Sequence, residues 1–565
     1  MLNSNFKHNQ MRNLKYILII FCLINLSCNK EYLERFPLDS PSDETFLSNE
    51  SELDMAIAGA YNSLWYHPTG VVLPFAITLD YASDIGWERN TNTLQALGLG
   101  LGNSDNDFTG GFWTAFYKGI GRCNSILAKS ESLKDIIPEQ KFKQRMAEVR
   151  FLRAFYYFYL NELYGGVPLI TSVVPLSEAK IARSSKDEIT DFIFSELDAA
   201  IPFLLAETNQ SNKGRANIGA ALALKSRAAL YNKRWKVAAD AANELIKLKN
   251  YSLHPKFDEL FSYAGENSRE IIFAVQYLTG LQEHPIPNQF YSRLAKGTSN
   301  KIPVQSLIDS YECTDGLSID KSPLFNPLQP FKNRDPRLNY TVVLPQTRFI
   351  NYMFETHSDS LMTWDYNTIP AKRVSNTDVT NAFATFSGYL WRKYADIADM
   401  NDRSSDLNTI LFRYAEVLLN YAEAKVELNE IDQSVYDAIN QVRQRPSVNM
   451  PPITAGKTQA QLRSVIRKER KYEFPAEGLR LFDIRRWNIA HDVMPGKLLG
   501  RVRNAFLTNA PVIDDNGTPH YEGVTNSNQM RVIETRLYNK ERDYLWPIPR
   551  LEIEVNPLLT QNPGY

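Results

Sequence analysis

Between Asn217 and Lys249 the chain carries two apolar helical stripes in close succession, many of their inward positions filled by alanine. Ile218, Ala221, Leu222, Ala228 and Ala229 share the first face; Trp235, Ala238, Ala239, Ala242, Leu245 and Ile246 share the second. Small residues on facing helices let the two axes approach closely. Two helices within about 33 residues is the tetratricopeptide period. A related pair follows later, with Phe412, Ala415, Glu416, Leu419, Ala422 and Glu423 on one helix and Val435, Ala438, Ile439 and Val442 on the next. Matches to the repeat consensus are partial, which predicts a mostly α scaffold of tetratricopeptide type, degenerate and interrupted.

Two further helices precede these pairs. Leu53, Ala56, Ile57, Ala60, Tyr61, Leu64 and Trp65 fall on one continuous face, with Ser51 as a candidate N-cap. The second runs from about Gln140 to Tyr164 and stops at Gly165-Gly166 and Pro168. The interruptions are long. Residues 250–410 and 500–545 are rich in Pro, Asn, Ser, Thr and aromatics, with short strand-like runs at Glu270–Val275 and Leu338–Leu344. Loops of this length carry function or small structure of their own. A helical frame displaying a large loop-rich face with a few short strands suits a binding protein.

The amino terminus constrains the compartment. Arg12 and Lys15 precede the apolar run Tyr16–Ile24, which ends at Asn25-Leu26-Ser27-Cys28. This is the layout of a secretory signal, and the run is shorter than the about 20 residues a spanning helix needs. Cys28 is placed as in the bacterial lipobox, although Asn25 stands where that pattern prefers Leu. We therefore expect residues 1–27 to be a lipoprotein signal peptide and Cys28 to be lipidated. The alternative is ordinary cleavage nearby, with Cys28 unmodified. A Pro-containing tether follows, to roughly Ser42. Cys123 and Cys313 then remain, without CxxC or zinc spacing; two buried free thiols are expected in preference to one disulfide. The formal net charge of −1 argues against nucleic acid.

Catalytic motifs are scarce. There is no HExxH, no GxSxG elbow and no GxGxxG within a strand–helix frame. Gly456-Lys457-Thr458 ends like a phosphate loop, but Pro451 stands at its first glycine position. Asn103, Asp105 and Asp107 imitate the start of a calcium loop until Phe108 occupies the glycine position. The expectation is a non-enzyme with no cofactor and no metal. Sugars stack their C–H faces on aromatic rings while neighbouring polar groups bond their hydroxyls. Trp65, Trp113 and Trp235 sit on helix faces, and Trp391, Trp487 and Trp546 lie in strand-like stretches or in the segments that carry the resemblance described next. That leaves Trp87 and Trp364, both in polar loops, the first beside Asp84.

Several segments together resemble the SusD/RagB family of surface lipoproteins in Bacteroidetes. They are Glu31–Pro37; Ala147–Tyr157 running on to Leu163–Pro168; Ile466–Arg470 with Glu473-Phe474, Glu477-Gly478 and Phe482–Trp487; and Trp546–Pro549, Asn556-Pro557 and Gln561–Tyr565. The resemblance implies one SusD-like domain over residues 28–565, with an N-terminal part, 28–250, holding helical hairpins and a C-terminal part, 251–565, holding the loop-rich insertions and further helices. It implies lipid anchoring in the outer membrane, facing the exterior, and a TonB-dependent SusC-like transporter as partner. It also implies ligand aromatics from the loop after the early helices, where Trp87 lies, and from the middle section, where Tyr277, Tyr291 and Trp364 lie. The basic and acidic residues of the motifs suit ion pairs between helices, Arg150, Arg153, Arg467, Arg470, Arg485 and Arg486 with Glu148, Glu469, Glu473 and Asp483, and are set apart from the binding site. An oligosaccharide is the expected ligand. A peptide ligand, a surface glycoside hydrolase and a scaffold binding only proteins stand as the alternatives.

Overall fold

The computed structural model of the chain describes residues 47–66, 73–89, 94–207 and 213–565. The signal segment, Cys28, the tether and the motif at 31–37 lie outside them. The main helices are α1 (Glu50–Tyr61), α2 (Asp107–Lys129), α3 (Glu139–Tyr164), α4 (Lys186–Ala200), α5 (Ile218–Tyr231), α6 (Trp235–Leu248), α7 (Tyr414–Glu427), α8 (Gln433–Arg443), α9 (Gln459–Glu473) and α10 (Arg480–Arg486). α3 packs against α2 and α4, α5 against α6, and α7 against α8 and α9. α6 also packs against α7, so the two alanine-bearing pairs are neighbours in space although the loop-rich section separates them in sequence. Ala221, Ala228, Ala229, Ala238 and Ala242 are fully or almost fully covered in this contact region.

α3 is the central rod. From Phe151 to Tyr164 every residue is buried, and Phe155 and Tyr159 meet Phe75 edge-on, as do Phe112 and Phe116 from α2. Edge-to-face pairs of this kind add about 0.5–1.5 kcal/mol each beyond area burial. The helix ends where Gly165 takes φ 76°, which a side chain would resist. The main core cluster extends from Leu47 to Leu559 and draws on both halves of the chain.

Some local expectations change. Asn49, not Ser51, caps α1, its side chain accepting the Glu52 amide at 3.0 Å, while the Glu52 carboxylate reaches back to the Ser48 amide. Phe412 belongs to a strand rather than to the helix after it, because Arg413 is extended (φ −140°). The Leu338–Leu344 run is a helical turn, Arg337–Thr341, followed by Val342-Val343 paired with Leu390-Trp391. Thr458 caps α9 in a reciprocal box with Gln461, and Asn106 caps α2.

Strands occur in small antiparallel sheets. β1 (Gly86–Glu88) pairs with β3 (Lys301–Pro303), and β2 (Ile271–Val275) with β8 (Thr409–Arg413). A four-stranded meander is formed by β4 (Thr347–Phe349), β5 (Tyr352–Phe354), β6 (Met362–Asp365) and β7 (Lys372–Ser375). β9 (Gly496–Val502) pairs with β10 (Met530–Arg536).

The interior also holds a buried ionic network. Arg413 bonds Glu270 (2.9 Å), Glu473 (2.7 Å) and Glu477 (2.6 Å); Arg337 bonds Glu469 (2.5 Å) and Glu473 (3.0 Å). Arg445 bonds Glu473 at 2.8 Å, and also Glu270. Burial alone would raise Glu473, but Arg445, Arg413 and Arg337 hold it well below the carboxylate range. Among the motif residues, Arg150 and Arg153 share Glu196, and Arg470 and Arg486 share Asp483. Glu148 pairs with Arg215 and Arg145. Arg467 and Arg485 differ from expectation, donating to the Asn516 side chain and the Asp543 carbonyl instead of to carboxylates. Breaking a buried pair by removing one partner costs about 3–5 kcal/mol, so these residues are committed to structure.

Candidate functional site

β1 is held close to the preceding turn, since a Cβ on Gly86 would lie 2.9 Å from the Asp80 carbonyl oxygen. This places Trp87 opposite Ile302 of β3, where it is only 3% exposed. Its indole N–H donates to Glu534 at 2.6 Å and its ring stacks on Phe386. Asp84 is also buried, with the Arg480 guanidinium bonding both carboxylate oxygens at 2.7 and 2.8 Å and the Lys471 ammonium at 3.4 Å. Burial would raise Asp84, but Arg480 and then Lys471 hold it well below the usual carboxylate range. Tyr277 is buried edge-on against His284, and Tyr291 edge-on against Phe349 with its hydroxyl donating to the Asp396 carbonyl. Burial raises both phenols. Trp364 differs. β6 alternates, with Thr363 and Asp365 inward and Met362 and Trp364 outward, and the Trp364 ring is 40% exposed. Arg373, its partner on β7, lies with its guanidinium carbon 5.2 Å from the ring centroid. The structure therefore brings Trp364 to the surface and places Trp87, Asp84, Tyr277 and Tyr291 in the packing.

The outward side of Trp364 borders a groove of about 440 Å³ that also touches Glu355, Asp359, Ser360 and Arg373. A second cavity, of about 210 Å³, is lined by Asp378, Asn381, Phe386, Arg501, Arg503 and Arg531, among others. The two flank one segment, 355–360. Asn376 fastens that segment by donating to the carbonyls of Glu355 (3.0 Å) and Ser360 (2.8 Å). Arg501 of the cavity lies 3.9 Å from the Glu355 carboxylate of the groove, so a buried contact links the two linings. Phe383 stands beside it, 59% exposed, with the Arg89 guanidinium carbon 5.3 Å from its centroid.

Arg89 and Arg293 both donate to the Phe383 carbonyl, at 2.7 and 2.9 Å. Burial, then the like charge of Arg293, pulls Arg89 down to about 10. Asp378 accepts the Arg293 amide at 2.6 Å, yet burial pushes its carboxyl up to about 6. The arrangement offers exposed rings for stacking, amides and hydroxyls for hydrogen bonding, and an excess of guanidinium donors. A larger cavity of about 530 Å³ lies at the β2 edge, but its cations are already engaged, Arg215 with Glu148, Lys213 with Glu266 and Arg269 with the carbonyls of Lys249 and Asn250.

Among the described residues no group of three His, Cys, Asp or Glu side chains is placed to hold a metal ion. Asp105 pairs with Arg550. Cys123 and Cys313 are buried free thiols, and burial pushes Cys123 up to about 12. Sequence reasoning missed Phe383, Phe386, Arg503 and Arg531. The pattern that marks Trp364, an aromatic ring in a polar loop, is shared by Asn381-Ala382-Phe383, where the ring is a phenylalanine. Arg503 and Arg531 carry no sequence signal until β9 and β10 pair.

Comparison with known proteins agrees with this architecture. Residues 269–565 match the SusD family model, and residues 31–230 match a model described as starch-binding associating with outer membrane. The chain is 25% identical to a SusD-like protein of Formosa agariphila, covering 97% of this chain and 98% of that one. It is 26% identical to a SusD-like protein of Bacteroides ovatus, covering 98% of each. Among solved structures, a SusD-like carbohydrate binding protein from Bacteroides fragilis is 30% identical, with TM-score 0.79 over 91% of this chain and all of that one. By its helix pairs, its loop-rich face and a family match over more than half its length, this chain belongs to the SusD family.

Proposed function

We propose that this protein is an outer-membrane surface lipoprotein that captures oligosaccharides on the Trp364–Phe383 face and passes them to a TonB-dependent SusC-like transporter, without acting on them as an enzyme. The observation that carries the reading is the outward ring of Trp364, set among Glu355, Asp359, Ser360 and Arg373. A pyranose presents C–H bonds to such a ring while these side chains bond its hydroxyls. The 30% identical Bacteroides fragilis protein is named as carbohydrate binding, which supports a glycan over a peptide. Outer-membrane association in the description of the N-terminal family model supports the location. Among the described residues no helix is long and apolar enough to cross a membrane; the anchor in this reading is the lipid on Cys28. Residues 28–565 act as one domain in it, consistent with a core cluster that draws on both halves.

Calorimetric titration of the mature chain with a panel of oligosaccharides and peptides tests the ligand, and mild-detergent capture from native membranes tests the partner. Saturable binding of at least one oligosaccharide, and recovery of a TonB-dependent barrel, are expected. Binding of peptides alone overturns the ligand assignment. Recovery of the lipoprotein by itself in several detergents overturns the transporter assignment.

A further inference from the structure

The cavity beside Phe386 holds more positive charge than the hydroxyls of a neutral sugar account for. Arg501, Arg503 and Arg531 line it, and among the described residues Asp378 is the one carboxylate in its lining. Asp378 already accepts hydrogen bonds from the backbone amides of Arg293 and Leu294. Arg501 donates to the Thr356 hydroxyl at 3.1 Å, and its carboxylate neighbour, Glu355, stands 3.9 Å away. Val502 and Met530 face each other across antiparallel β9 and β10, so the residues that follow them, Arg503 and Arg531, are diagonal neighbours whose long side chains both reach the cavity. Two like charges that share one cavity repel each other, the more so where burial lowers the effective dielectric. Neither guanidinium lies within 4 Å of a carboxylate among the described residues, and the charge acting on Arg531 is that of Arg503, of the same sign.

The cationic pair is nonetheless positioned. The Arg531 guanidinium carbon lies 4.1 Å from the Phe386 centroid, and Phe386 rests in turn on Trp87. A guanidinium packed over an aromatic ring can still present N–H groups to an oxyanion, and its fork matches the spacing of two oxygens on a carboxylate or sulfate. Arg89, 5.9 Å from the Phe386 centroid, and Arg293 add positive charge on the Phe383 side. Repulsion left uncompensated in the free protein is what a bound anion would relieve.

We infer that this cavity is a subsite for an acidic substituent, a carboxylate or sulfate ester, on the captured glycan. Arg503 and Arg531 grip the acidic group while Phe383 and Trp364 stack sugar rings to either side. The inference rests on the reading of this face as an oligosaccharide site, and it narrows the ligand class to anionic glycans.

The test titrates the mature chain with three probes: neutral laminari-oligosaccharides, uronate-bearing alginate oligosaccharides and sulfate-bearing carrageenan oligosaccharides. Each is measured at low and high NaCl, for wild type, Arg503→Gln, Arg531→Gln and Arg531→Lys. At least one acidic probe is expected to bind about tenfold or more tighter than the neutral one, with an affinity that falls as salt rises. Both Gln variants should lose that advantage while melting no lower than wild type, since each also relieves the repulsion, and Arg531→Lys should restore only part of it. Preference between uronate and sulfate identifies the acidic group. Acidic probes that bind no tighter than the neutral one, or Gln variants with wild-type affinity for them, overturn the subsite while leaving glycan capture in place. Failure of every oligosaccharide to bind overturns both.

Discussion

The indole of Trp87 lies against the phenyl ring of Phe386, with 5.2 Å between centroids and 23° between planes. One ring is almost wholly covered and the other is partly open to the cavity lined by arginines. Trp87 thus forms a wall behind the candidate face, while Trp364 stands on it.

Truncating these two tryptophans should therefore have opposite consequences. Trp87→Ala removes a buried ring and leaves Glu534 without its indole donor, so it should cost about 3–5 kcal/mol of folding stability. Trp364→Ala should leave the melting temperature near wild type and weaken oligosaccharide binding by about 2 kcal/mol, roughly 30-fold. Thermal melts and calorimetric titrations of both variants decide it. A large loss of stability in Trp364→Ala, with affinity intact, would remove Trp364 from the site.

Asp84 makes a separate prediction, with a pH signature. Asp84→Asn leaves the buried Arg480 and Lys471 without their carboxylate and should cost about 3–5 kcal/mol near neutral pH. Because its folded pKa is depressed, its contribution is complete above the ordinary aspartate value of about 3.9 and is lost as pH falls through that value and below. Urea unfolding between about pH 7 and pH 3 should show the gap between wild type and variant closing on the acid side. A gap that stays constant across that range would mean Asp84 is not the ionised partner described.

Lipidation is tested independently of the site. Mass spectrometry of the mature amino terminus should find an acylated Cys28, and Cys28→Ala should move the protein out of the membrane fraction. An unacylated terminus at another residue would end the lipoprotein reading.

Much of the helical frame was legible in the sequence because helix periodicity and stop signals are local. The alanine spacing of 217–249 predicts α5 and α6 almost residue by residue, and Gly165 ends α3 where a positive φ is needed. The motif residues announced an ionic network, and α9 and α10 supply much of it. Burial in the loop-rich section was not legible, since it depends on which distant segment arrives. Trp87 sits in a polar local context, yet Ile302, Phe386 and Glu534 come from positions more than 200 residues away to cover it. Trp364 sits in an equally polar context and stays exposed because it falls on the outward phase of β6. Likewise, Arg503 and Arg531 are unremarkable charges along the chain until β9 and β10 align and bring both to one cavity as diagonal neighbours. Local spacing determined the helices and their ends; the candidate face was decided only in tertiary structure, where strand register and long-range covering choose which rings and charges meet water.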